Sequence, residues 1–175
     1  ALDQLEIAET KSEEPIENEI VQSIRLKFNG NIEKSIEMLK NIISKIDNES
    51  YSSTHFYKND IHMLLATFQK ENEDTKGALS TLETLYEKNP YDLWLINELV
   101  MEYADQNLKV EEALNMIDSV LKYQPRNSIF IDTKGWILLK MNKTEEAKKL
   151  FQKSIDLNPN NKDAKKHYNM LNKKT

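Results

Sequence analysis

Residues 128–161 read SIFIDTKGWILLKMNKTEEAKKLFQKSIDLNPNN. Pro159 closes the segment, because proline lacks an N–H and restricts the residue before it. Twelve residues earlier stands Ala147, four after that Phe151, and three further Ser154. The same frame recurs twice upstream. Pro90 and Pro125 follow Ala78 and Ala113 by twelve residues, and Leu82 and Ile117 follow the alanines by four. Leu85 and Val120 then stand where Ser154 does. The three prolines are 35 and 34 residues apart, and two of them sit in the strings EKNP and DLNP. A small residue at a fixed place is what two closely approaching helices need. Ile61, Leu64, Leu65 and Phe68 make a helical stripe rather than a strand alternation. One hairpin cannot bury such a stripe alone, but stacked hairpins bury a continuous core.

Composition agrees. Of 175 residues, 39% are apolar and 30% charged, against averages of about 45–50% and about 25%. That suits a thin helical protein with much surface. Three glycines and four prolines are too few for a β-sandwich or barrel. The absence of cysteine excludes disulfides, thiol catalysis, zinc fingers and iron–sulfur sites. No apolar run approaches the ~20 residues of a membrane span, so direct membrane insertion is not expected. A net charge of −5 is no nucleic-acid footprint. The charge is uneven. Residues 1–19 carry seven acids against Lys11, and residues 162–175 carry five lysines against Asp163.

The 34–35-residue frame resembles the tetratricopeptide repeat, a helix–turn–helix unit, in a form similar to bacterial repeat proteins. The resemblance is strong over 58–161 and weak over 16–50. It implies an all-α, right-handed α-solenoid of about four hairpins plus a C-terminal capping helix. The expected organisation is an acidic, disordered or docked arm over 1–15, then one domain over 16–175. That domain divides into a divergent hairpin at 16–50, repeats at 58–92, 93–127 and 128–161, and a capping helix at 162–175. Helices are expected near 16–28, 31–46, 53–71, 74–88, 92–107, 110–123, 127–141, 144–157 and 161–173. Asp74, Asp92 and Thr144 are the expected N-caps.

Catalysis has little to stand on. Gly30, Gly77 and Gly135 lie far apart, and neither HExxH nor GxSxG occurs. His55 and His62 are seven apart, about 10.5 Å along one helix, too far for one metal. They and His167 read as exposed or half-buried histidines. The pairs Glu111–Glu112 and Glu145–Glu146 complement helix N-termini. No enzymatic activity, cofactor or metal is expected.

The resemblance places ligands on the concave face lined by the first helix of each repeat. Carried by position, that face comprises Asn59, His62, Met63, Trp94, Asn97, Met101, Asp132, Trp136, Lys166 and Met170. Both tryptophans of the chain fall on it, and Trp and Met suit adaptable protein surfaces. Packing of both indoles between repeats as ordinary core is the alternative. The basic clamp of chaperone-tail binders is absent, since the matching places hold His62, Ala66, Glu98, Ile129 and Thr133. The expected function is a non-catalytic scaffold holding a partner protein or peptide. A second reading is a regulatory or substrate-recruiting part of a larger peptidase or transferase, and a third is self-association. The compartment stays open between cytoplasm and a bacterial periplasm or envelope.

Overall fold

The computed structural model describes residues 15–48 and 58–172. Among these residues there are nine α-helices and no strand. They are α1 (Pro15–Phe28), α2 (Ile32–Asn48), α3 (Lys58–Glu71), α4 (Thr75–Lys88), α5 (Leu93–Asp105), α6 (Val110–Tyr123), α7 (Ser128–Lys140), α8 (Thr144–Leu157) and α9 (Lys162–Asn172). Residues 1–14 of the expected arm, His55 and the expected helix start at 53 lie outside the described residues. The chain divides into two compact units, Ala1–Leu85 and Tyr86–Thr175.

Two kinds of turn build the hairpins. Between paired helices the chain closes with the same two backbone bonds four times. Gly30, Glu73, Asn107 and Asn142 each donate to the carbonyl three residues back. The next residue in each case donates to the carbonyl five back. This is the Schellman closure, which satisfies the last carbonyls of a helix and requires a left-handed residue at the turn. The φ values there are +79° at Gly30, +61° at Glu73, +55° at Asn107 and +62° at Asn142. Only the first turn uses glycine, the residue without a left-handed penalty.

Between hairpins the chain uses a four-residue turn with proline second: Asn89–Asp92, Gln124–Asn127 and Asn158–Asn161. The fourth residue donates to the carbonyl of the first in each. Proline's fixed φ suits that position. The fourth residue then caps the next helix. Asp92 accepts from the amides of Trp94 and Leu95 at 3.0 and 3.1 Å, Asn127 from Ile129 and Phe130, and Asn161 from Ala164. Asp74 likewise accepts from the Gly77 amide at 2.9 Å. Thr144 is not a cap, contrary to the expectation. The closing turn extends to Lys143, so Lys143 stands at the boundary with no side-chain oxygen to offer, and Thr144 is already helical.

In the first unit α2 packs on both α1 and α3. Ile16, Ile36, Leu39, Ile42, Ile61, Leu65 and Phe68 form its core. The Ser35 hydroxyl donates to the Ser23 carbonyl at 2.6 Å inside the α1–α2 contact. In the second unit, α5 and α6, α6 and α7, α7 and α8, and α8 and α9 pack in succession, and α7 also touches α5 and α9. Ala113 and Ala147 are fully buried. At the α7–α8 crossing, a Cβ on Gly135 would stand 2.6 Å from Cε1 of Phe151 and 3.3 Å from Cβ of Leu150.

Two stability outcomes follow from this geometry. Ala147→Leu should destabilise the chain by about 1–3 kcal/mol through overpacking at the buried crossing. An unchanged melting temperature would contradict the assignment of that crossing. Glu73→Gly should raise stability by about 1 kcal/mol by removing left-handed strain from a side-chain-bearing residue, measured by urea unfolding.

Candidate protein-binding face

Within the second unit, α5, α7 and α9 are the first helices of successive hairpins, and α7 contacts both others. The capping turns at Asp92, Asn127 and Asn161 start all three helices in the same register, so corresponding residues stand side by side. Three polar links tie them. Oγ1 of Thr133 donates to Oδ1 of Asn97 at 2.8 Å. Nε1 of Trp136 donates to Oδ1 of Asp105 at 2.7 Å. Nδ1 of His167 lies 3.0 Å from Oδ1 of Asp132.

Trp136 is the centre of this arrangement. Its indole is half-buried and stacks on the His167 ring with centroids 4.5 Å apart and planes 24° apart. His167 also lies 5.3 Å from the Phe151 ring. The Lys140 ammonium stands 4.8 Å over the indole and 3.9 Å from Asp105. The indole thus has an apolar neighbour, a donor bond and a cation at once, which holds it in one pose.

The expected groove residues separate into two groups. Asn97 and Asp132 are only 3% and 5% exposed, and their side chains link helices. Trp94 is 50% exposed, with its ring 4.9 Å from Phe130. Met101 is half-buried, and Lys166 and Met170 are exposed. Ile129, one turn before Asp132, is exposed as well and adds to the accessible apolar surface. Neither indole is sealed in the core. Asn59, His62 and Met63 belong to α3 in the first unit, where His62 is buried and the other two half-buried.

His62 and His167 are both buried, not exposed or half-buried as expected. For His167 the reason is specific, since an aspartate and an aromatic ring surround it and satisfy its polar and apolar parts. Sequence reasoning also missed Ile129, Asp105 and His167 as builders of the face. Their signal was position, each being one helical turn or one repeat from a residue that was chosen. Among the described residues no group of three His, Asp or Glu side chains is placed to hold a metal ion. Among the same residues no helix is long and apolar enough to cross a membrane.

The polar links make a checkable demand. Thr133→Val keeps the shape and leaves Asn97 Oδ1 without its donor. Stability should fall by about 1–3 kcal/mol, the cost of a buried polar atom left unsatisfied, as read by chemical unfolding. No change would mean that the link is dispensable.

A family model described as "Tetratricopeptide repeat" matches residues 131–161. No curated protein matches the chain. Among solved structures, MamA from Desulfovibrio magneticus RS-1 superposes with a TM-score of 0.66 at 15% identity, covering 87% of this chain and 80% of that one. A kinesin light chain-like repeat protein from Podospora anserina gives 0.66 at 19% identity, covering 89% and 83%. The first tetratricopeptide domain of Spaghetti (RPAP3), solved with an HSP90 peptide, gives 0.55 at 17% identity, covering 67% and 92%. These likenesses establish the fold, an all-α helical solenoid, and the tetratricopeptide-repeat match over 131–161 lies on the segment with the clearest frame.

Proposed function

We propose that this protein is a non-catalytic interaction scaffold that takes a partner protein segment on the face formed by α5, α7 and α9. One observation carries the reading. Trp94, Met101, Ile129, Trp136 and Met170 offer apolar surface on neighbouring helices whose intervening polar groups, Asn97 and Asp132, are already linked inward. Such a face lacks competing polar demands at its centre and keeps charge at its edge, where Lys166 is exposed. Interfaces share that arrangement, with aromatic and Met anchors inside a polar rim. The likeness to a repeat domain holding an HSP90 peptide supports the same mode, a short segment seated on a helical array. Its chemistry here differs, because the face offers aromatic and aliphatic groups where chaperone-tail binders offer lysine and arginine.

Trp94 and Ile129 supply contact, while Trp136 supplies contact and also holds α9 through His167. Alanine at Trp94 should therefore weaken partner binding by about tenfold or more, the cost of losing a central aromatic anchor, with the melting temperature unchanged. Lys149→Ala on α8 should leave binding as it is. The measurement is affinity capture with the intact chain, followed by titration of the captured polypeptide against each variant. Equal affinities for Trp94→Ala, Ile129→Ala and the parent chain would sink this reading.

A further inference from the structure

On the other side of the second unit, a cavity of about 620 Å³ opens between the end of α4, α5 and α6. Its buried base is Ile96 and Val120, flanked by half-buried Leu93 and Met116. Tyr86, Tyr91 and Tyr123 line it too, and the last two are 90% and 78% exposed. Glu112 is the only charged side chain in the lining. Its carboxylate makes no ion pair or hydrogen bond among the described residues. The volume falls within the range of small-ligand pockets, which are mostly apolar with a few polar groups.

The next repeat provides an internal control, because it builds the same place with other residues. In the repeat frame, Tyr86, Tyr91 and Tyr123 correspond to Leu121, Arg126 and Leu157. Asn115 and Ser119, also in the lining, correspond to Lys149 and Lys153. Val120 corresponds to Ser154, whose hydroxyl donates to the Ser128 carbonyl at 2.7 Å and accepts from Asn161 at 3.0 Å. The helical frame therefore needs neither three tyrosines nor the lack of positive charge. Both are particular to this repeat. Glu112 stands near the start of α6 and Tyr123 at its end, about 16 Å apart along the helix, so the carboxylate and the phenol rings mark the two ends of the lining. With the apolar base between them and the lysines of the sister site gone, the lining suits an elongated apolar body with a positive charge at one end. A carboxylate attracts a cation, and aromatic rings pack on an aryl or alkyl group.

We infer that this cavity is a binding site for a small organic cation, an elongated alkyl- or aryl-ammonium whose apolar part lies along the base to the tyrosine rings and whose charge meets Glu112 at the other end of the lining. It is separate from the α5–α7–α9 face and does not depend on the reading of that face. The test titrates the full chain with phenylbutylammonium and with its neutral counterpart phenylbutanol, following tyrosine ring protons by NMR. The amine should bind saturably, shifting the rings of Tyr91 and Tyr123, and the alcohol at least ~5-fold more weakly. Glu112→Gln should weaken amine binding ~3-fold or more, and the double change Tyr91→Ala with Tyr123→Ala ~10-fold or more. These three side chains are exposed, and circular dichroism should show the variants folded. Lys149→Ala should bind as the parent does. Equal affinity for amine and alcohol, no effect of Glu112→Gln, shifts confined to other residues, or no saturable binding would each overturn the inference.

Discussion

Gly135 has no room for a side chain. A Cβ there would stand 2.6 Å from the Phe151 ring, so the ring packs directly on the α7 backbone at that point. Ala147, fully buried one helical turn before Phe151, keeps the same contact tight. At this crossing α7 grips α8, and α7 also contacts α5 and α9. The candidate face depends on that crossing. Were the helices farther apart, the Phe151 ring could not reach His167, and the stack of His167 on Trp136 would lose its backing.

The face that results is unusual in where it keeps its polar groups. Asn97, Thr133, Asp132 and His167 are buried yet have partners, as burial requires. They join neighbouring first helices and give directional preference to contacts that apolar packing alone leaves loose. Their inward pairing leaves Trp94, Ile129 and Met170 as the accessible groups. The cavity beside Tyr91 and Tyr123 varies between repeats, whereas the buried alanine of the crossing recurs as Ala78, Ala113 and Ala147.

The turns show how much of this was written locally. Proline followed two residues later by Asp or Asn recurs at Pro90, Pro125 and Pro159, and each time it makes a turn and then a cap. Only Asp92 was read as a cap from the sequence, although Asn127 and Asn161 carry the same signal. Thr144 misled because threonine is a common cap residue, and the length of the preceding turn decides which residue stands at the boundary. Helix ends within the described residues fall within two residues of their expected places, because proline, Asx caps and apolar periodicity all act over a few residues.

The order of helices and the crossing alanines were determined by sequence alone, since a repeat frame and a helical period suffice to derive them. What each side chain does was decided by the tertiary structure. Asn97 and Asp132 carry the same polar pattern as a binding rim, and only the approach of Thr133 and His167, 36 and 35 residues away, turns them inward. His167 looked like a surface histidine on a polar helix until Trp136, Phe151 and Asp132 closed around it. Hydrogen-bond partners and burial are set by residues distant in the chain, and neither periodicity nor composition contains that distance.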